Sequence, residues 1–509
     1  MDDSRQRKLG AILSYVSIIV TTLIQLVYTP FLIRKLGQSE YGLYSLVNSI
    51  IGYLTVLDLG FGNAIVVYTS KYRATNNKKA EQKLHGMFKI VFYIIGLIAM
   101  LLGIILFFNV GNMFGNTMND VELHKAKIMM LILTFNLGIS FSFSIYSSII
   151  NAYEKFVFQK IVAIVGTILK PLIMIPLLFL GRKSITMVSV ITFINVITMF
   201  SNYLYCKKKL SIDVKYNGFD KILFKTILGY SIWIFLGIIV DKVNYSVDNF
   251  VLGAISGTIA VSIYSVATTF NTVFINLSSA ISNLLLPKIT KMVVNNATKE
   301  ELTNEMIKIG RLQNYIIFLV CSGFILLGKN FISIWVGEGF SESYYVTLLL
   351  IVPACVPLIQ NTGLSIMQAM NKYKFKTLST FIMSIFNIII SIFLTKKYGA
   401  TGAALGTCIA LIICNILLIN LYYAKKLKLN ILKFWISIIR QITPFVIPIS
   451  LTLVVMNTLK LNGVSAFIIY GSIYSILYII VAYLLSMNKY EKNFIWKIFN
   501  KFKLCKENK

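Results

Sequence analysis

About fourteen apolar runs, each ended by charge, proline or glycine, constrain this chain more than any other feature. A helix needs roughly 20 apolar residues to cross the hydrocarbon of a bilayer, and these runs reach that length. The expected limits of the first seven are 10–33, 41–68, 87–109, 126–150, 157–180, 184–205 and 223–252. The rest fall at 258–286, 312–335, 344–370, 376–395, 401–424, 437–459 and 463–486. A soluble fold has too little interior to hide a chain that is 57% hydrophobic and only 13% charged. The expected fold class is therefore all-α and polytopic, with about 14 transmembrane helices. The first run lacks the small-residue cleavage site of a signal peptide and is expected to stay as the first helix.

The net charge of +30 would point to nucleic acid in a soluble protein. Here it has a different origin, because cytoplasmic loops of membrane proteins collect Lys and Arg. With Arg5, Arg7 and Lys8 inside, about 37 of the 49 basic residues fall on the inner side and about 9 on the outer side. Both termini are then cytoplasmic, and nucleic acid is not an expected partner. The outer loops are short, which leaves little room there for a catalytic domain. The six cysteines show no CxxC, and His85 and His124 stand apart, so neither a metal centre nor a cofactor is expected. Gly60-Phe61-Gly62 lies within a span and lacks the third glycine of a dinucleotide site; it reads as close packing or a local break in span 2.

The chain also repeats itself. Gly37, Tyr44 and Ser45 return 220 positions later as Gly257, Tyr264 and Ser265. Ala152, Lys155 and Phe158 return as Ala369, Lys372 and Phe375, and the pair Arg182-Lys183 is answered by Lys396-Lys397. A repeat of six helices, an even number, brings the chain back to the same side. The halves are then related by an axis along the membrane normal, with a cavity between them near the midplane. This predicts two pseudo-symmetric six-helix bundles, 1–206 and 207–425, two added helices over 426–488, and a basic cytoplasmic tail from 489 to 509.

Polar residues in lipid must face protein or water, so polar stripes locate the interior. Span 2 carries Tyr44, Asn48, Thr55 and Asp58; span 4 carries Asn136, Ser140, Ser144, Ser147 and Asn151. Span 8 carries Ser265, Thr268, Thr272, Asn276, Ser279 and Asn283; span 1 carries Ser14, Ser17, Thr21, Gln25 and Tyr28, and span 10 carries Asn361, Ser365 and Gln368. Charges are the sharper signal, since one at mid-bilayer costs at least ~2.5–3.5 kcal/mol on insertion scales. Lys170 lies near the middle of span 5, and span 7 carries Asp241, Lys242 and Asp248. The candidate substrate-binding residues are Lys170, Lys242, Asn48 and Asn276. Asp58, Asp241 and Asp248 are the candidates for ion coupling or gating, with H+ or Na+ as the coupling ion. No catalytic constellation accompanies them, and an enzyme is not expected.

The stretches LGQSEYGLYSL (36–46), DLGFGNAIVVYTSKY (58–72) and GATGAALGT (399–407) resemble the polysaccharide repeat-unit flippases. These O-antigen, capsule and teichuronic-type transporters form part of the multidrug/oligosaccharidyl-lipid/polysaccharide exporter superfamily. The resemblance implies a two-lobed transporter with a cationic central cavity. Its expected activity is moving an undecaprenyl-pyrophosphate-linked oligosaccharide across the plasma membrane by alternating access, with bilayer lipid around the lipid tail. It also implies that Lys170 and Lys242 attract the pyrophosphate or acidic sugars. Two alternatives stand beside it: a multidrug exporter of the same superfamily, and an integral-membrane polysaccharide polymerase or glycosyltransferase.

The orientation is directly testable. A cysteine placed at Gly115 is expected to react with membrane-impermeant thiol reagents in intact cells, and Cys505 to resist them; the opposite pattern reverses the topology.

Overall fold

The structure is a computed structural model that describes residues 3–282, 286–370, 372–493 and 496. Its regular elements are all helical among the described residues. In order they are α1 (Asp3–Leu36), α2 (Gln38–Leu54), α3 (Phe61–Ala74), α4 (Lys78–Phe114), α5 (Asp120–Ala152), α6 (Phe156–Phe179) and α7 (Ser184–Lys208). There follow α8 (Lys221–Ser282), α9 (Leu286–Val294), α10 (Lys299–Val336), α11 (Glu342–Ile359), α12 (Asn361–Ala369) and α13 (Lys374–Leu411). The last four are α14 (Ile419–Lys425), α15 (Ile431–Ile442), α16 (Val446–Leu459) and α17 (Gly463–Val481).

Among the described residues, twelve helical stretches are long and apolar enough to cross a membrane. Two of them, within α8 and within 374–425, are hairpins. In a straight helix Asp248 and Tyr264 would be about 24 Å apart at 1.5 Å per residue. Yet the Tyr264 hydroxyl donates to the Asp248 carboxylate, and Ser265 Oγ donates to Asn249 Oδ1 at 3.4 Å. The reversal sits at Gly257, with φ 79° and ψ −174°. Gly399 does the same at φ 54°, so that Ser391 Oγ reaches the Ala403 carbonyl at 3.3 Å across the turn. A Cβ on Gly402 would lie 2.1 Å from the Leu394 carbonyl oxygen, so the small residues let the two arms touch at backbone distance. Divided at these glycines, the twelve stretches become the fourteen passes that the apolar runs predict.

The repeat is visible in the backbone. Gly37, between α1 and α2, has φ 85° and ψ 166°, close to the conformation of Gly257. Such angles belong almost exclusively to glycine, which has no Cβ to clash. The second correspondence is equally concrete: Phe158 stacks on Tyr205 at 3.8 Å and Phe375 on Tyr422 at 4.1 Å, both pairs near parallel. The turns after these tyrosines match too, with Ser211 at φ 55° and Lys428 at φ 56°.

Span 2 is broken rather than continuous. A short 3-10 turn, Thr55–Asp58, ends α2, and Leu59 and Gly60 take left-handed angles before α3 begins. The Gly60–Gly62 motif is therefore a helix break. Other helices outrun their apolar cores: α4 begins at Lys78 behind an Asn77 cap, and α10 at Lys299 behind a Thr298–Glu301 capping box. Capping residues satisfy backbone donors outside the hydrocarbon, so sequence hydropathy alone underestimates these ends.

The chain divides into two compact units. The first, Met1–Val266 with Ser384–Gly406, packs α1 on α6, α4 on α5 and α5 on α7. The 209–220 linker lies along the start of α4: Lys89 Nζ donates to the Val214 carbonyl at 3.0 Å, and Lys83 Nζ to Asp220 at 3.2 Å. Hydrogen bonds from the Leu223 backbone N–H and from Lys83 hold the Asp220 carboxyl below the usual carboxylate range. The second unit, Ala267–Met383 with Thr407–Lys509, packs α10 against α11, α15 and α17. Of the basic tail after 488, only 489–493 and 496 are described.

A buried ion pair ties the last helices to α10. Arg311 Nε donates to Glu491 Oε1 at 2.6 Å and Nη2 to Oε2 at 2.9 Å, a two-pronged geometry. The same guanidinium also donates to the Ser486 and Ser437 carbonyls at 2.9 and 3.2 Å, and Tyr315 hydroxyl to Glu491 at 3.0 Å. Glu491 is 1% exposed, so removing it strands a cation in the interior. Glu491→Ala is expected to destabilise the chain by about 3–5 kcal/mol, read as loss of folded protein in a detergent thermal-unfolding assay.

Candidate functional site

The first unit contains a polar cavity of about 390 Å³. Asn48, Ser49, Gly52 and Thr55 come from α2 and the turn that ends it, and Leu133, Asn136, Leu137 and Ser140 from α5. Asn195 of α7 and Lys242 and Ser246 of α8 complete the polar wall. The α2 residues lie about 16–27 Å along their helix from the Gly37 turn, and Lys242 and Ser246 about 16–22 Å before Gly257. Asn195 is about 16 Å into α7. For hydrocarbon about 30 Å thick, Asn48, Gly52, Asn195, Lys242 and Ser246 sit inside the bilayer and Thr55 near its far face.

The helical period explains why these residues meet. Asn48 and Thr55 are seven apart on α2, and Asn136 and Ser140 four apart on α5, so each pair shares a face. Lys242 and Ser246 are likewise four apart on α8. Gly52 faces the lysine, and a Cβ there would lie 3.6 Å from Lys242 Nζ, in ordinary van der Waals contact. Among the described residues no carboxylate pairs with Lys242, and the cavity lining holds no acid. Asn136 is 9% exposed, and its Oδ1 is buried without a hydrogen-bond partner among the described residues. Among the described residues, one cation, three amides and several hydroxyls, without a carboxylate, form a surface suited to recognising an anionic, hydroxyl-rich head.

The seven residues singled out from sequence have different fates. Lys242 and Asn48 are brought together in the cavity wall. Lys170 is half-buried on α6 with no carboxylate partner among the described residues, and it does not line this cavity. Asn276 is half-buried on α8, in the stretch belonging to the second unit. Asp58 accepts the backbone N–H groups of Gly62 and Gly60, which places it as an anchor of the break before α3. Asp248 is buried and accepts the Tyr264 hydroxyl across the Gly257 hairpin. The side chain of Asp241 lies outside the described residues, as do Asn283 and the side chain of Ser279. His85 is buried, with Nε2 2.9 Å from Thr69 Oγ1. Among the described residues no three His, Cys, Asp or Glu side chains gather in a metal-binding group.

Sequence reasoning missed Asn195 and Ser246. Asn195 could have been found as the one amide in the apolar run ITFINVITMF, but nothing there tells which neighbour it faces. Filling the cavity tests its importance: Gly52→Leu places a side chain beside Lys242 and is expected to abolish the protein's activity while it accumulates at normal levels in the membrane.

Residues 9–293 match the profile of a family described as polysaccharide biosynthesis protein. A Shigella flexneri protein described as an O-antigen transporter is 23% identical over 417 residues, which cover 79% of this chain and 94% of that protein. Among solved structures, the lipid II flippase MurJ in an inward closed conformation superposes with a TM-score of 0.71 at 20% identity. That match covers 93% of this chain and 98% of the flippase. An inward-facing multidrug resistance transporter of the MATE family, in the MOP superfamily, gives a TM-score of 0.57 at 13% identity, covering 78% and 96% of the two chains.

Proposed function

This chain belongs to the polysaccharide biosynthesis protein family, and from that premise we propose that it flips a lipid-linked oligosaccharide repeat unit across the bacterial plasma membrane. The cargo is an undecaprenyl-pyrophosphate-linked oligosaccharide bound for a surface polysaccharide, moved by alternating access. Both termini are cytoplasmic, which the lysine-rich inner loops support. The working division is that of the repeat: bundles 1–206 and 207–425, two further helices over 426–488 and the tail 489–509.

The observation that carries this reading is the mid-depth cavity with Lys242 and three asparagines. A lysine there with no carboxylate partner among the described residues repays its insertion cost when water or an anion reaches it. A phosphate or uronate satisfies the ammonium, and Asn48, Asn136 and Asn195 offer donors and acceptors to sugar hydroxyls. Lysine acts as a point charge rather than a fork, so it attracts the anion without fixing its orientation; the amides supply orientation. The lipid tail needs no polar site and stays in the bilayer. Lys170 and Asn276 remain candidates for other stages of the passage, and Asp58, Asp241 and Asp248 for coupling to a proton or sodium gradient.

Deleting the gene is expected to remove a surface polymer while lipid-linked repeat units accumulate in the membrane extract; unchanged polymer sinks the reading. In the complemented strain, Lys242→Ala removes a charge-assisted contact of about 1.5–3 kcal/mol, which corresponds to roughly 10–150-fold weaker cargo binding. Polymer output should fall accordingly. A drug-sensitive phenotype with normal polymer would instead favour the multidrug exporter.

A further inference from the structure

The cavity ends in a seam towards the Gly37 and Gly257 turns. Just past the cavity, Asn249 Nδ2 donates to Ser49 Oγ at 2.9 Å. One turn further on, Leu46 covers Gly253, where an added Cβ would lie 2.6 Å from Leu46 Cδ2. A Cβ on Gly42 would lie 1.9 Å from the Thr258 carbonyl oxygen, so here α2 and the arm after Gly257 meet backbone to side-chain-free backbone. Thr117 closes the flank, its Oγ1 donating to the Gly253 carbonyl at 2.7 Å.

At the outermost point of this seam stands Glu122, at the start of α5. Its Oε1 accepts from Ser39 Oγ and, at 2.9 Å, from Thr258 Oγ1. Ser39 and Thr258 follow the repeat-related glycines, and their own oxygens are 3.4 Å apart. Its other oxygen accepts the Asn119 backbone N–H at 3.1 Å, while Asn119 Oδ1 accepts the Glu122 N–H at 2.8 Å. This capping box fixes the carboxylate before it meets either hydroxyl. One carboxylate thus joins the first turns of two helices that the repeat makes equivalent. Beside it Lys125 pairs with Glu40, and Ser184 donates to the same Glu40, so the neighbouring charges are occupied with each other.

The chemistry of the seam differs from that of a permanent core. Interlocked large side chains resist separation because each leaves a void when withdrawn. At Gly42 the two backbones meet flat with no side chain to withdraw, whereas at Gly253 the buried Leu46 must be lifted off. The outermost contacts, hydroxyls on a carboxylate, are exchanged readily for bonds to water, so the seam can begin to part from the Glu122 end.

We propose that Glu122, bridging the Ser39 and Thr258 hydroxyls, is the latch that holds this seam shut and that the seam must part for cargo to leave the cavity on that side. The inference rests on the flippase reading and adds to it a positioning residue, distant from the cargo, that sequence reasoning did not select.

The test uses the full chain in the deletion strain. A Ser39→Cys/Thr258→Cys double variant is expected to restore polymer export under reducing conditions, to cross-link on oxidation with copper–phenanthroline, to stop export then, and to resume after dithiothreitol. Each single-cysteine variant should export throughout. Undiminished export by the cross-linked protein overturns the latch, and so does failure of the cross-link to form. If the deletion strain has normal polymer, the flippase reading itself has failed, a separate result. A second arm uses Asn48→Cys as a reporter: Glu122→Ala should increase its labelling by an impermeant maleimide in intact cells, whereas Glu122→Gln, which keeps an acceptor oxygen, should increase it less. Equal labelling in all three overturns the proposal.

Discussion

A peptide N–H or C=O left bare in hydrocarbon has no water to turn to, and that constraint runs through the whole molecule. It forces the described backbone within the spans into helices and restricts departures to places where the freed groups find partners. The break before α3 follows this rule: where Leu59 and Gly60 leave the helix, the Asp58 carboxylate takes up the N–H groups of Gly60 and Gly62. An aspartate that reads from sequence as a coupling site is, in the fold, also the cap that makes a break tolerable. The same rule accounts for Asp248, whose carboxylate holds the Tyr264 hydroxyl across a hairpin.

Glycine does the complementary work. At Gly37 and Gly257 it supplies backbone angles closed to other residues; at Gly42, Gly402 and Gly406 it allows helices to meet at distances a Cβ would forbid. Association in lipid gains little from the hydrophobic effect, because neighbouring chains are as apolar as the lipid. Close packing at small residues and a few satisfied polar contacts must supply it instead. The Arg311–Glu491 pair is such a contact in the second unit, and its seven described hydrogen bonds offset the desolvation of both charges.

Much of this was legible in the sequence. The fourteen passes follow from run length, and the repeat from spacing at 217 and 220 residues, later seen as matched glycine angles and two stacked Phe–Tyr pairs. At Gly60–Gly62 the sequence left close packing and a local break both open, and the left-handed angles of Leu59 and Gly60 decide for the break. What could not be read was which polar face meets which. Lys170 stands in mid-span with no local acid, whereas Lys242 is flanked by Asp241 and Asp248, so the sequence favours Lys170 as the free cation; yet Lys242 lines the cavity and Lys170 does not. Arg311 and Glu491 lie 180 residues apart, one at the edge of a span and one among tail lysines, and no local pattern joins them.

The sequence by itself determined that this chain is an all-helical protein that crosses a membrane many times and that its motifs recur 217–220 residues apart. Those properties depend on apolar length and residue spacing, which are local. Only the tertiary structure decided that α2, α5, α7 and α8 turn their polar faces towards one cavity, and that Glu122 bridges the turns at its end. The reason is geometric. A helix fixes which of its own residues share a face, but the rotation of that face towards a partner is set by packing against the other helices.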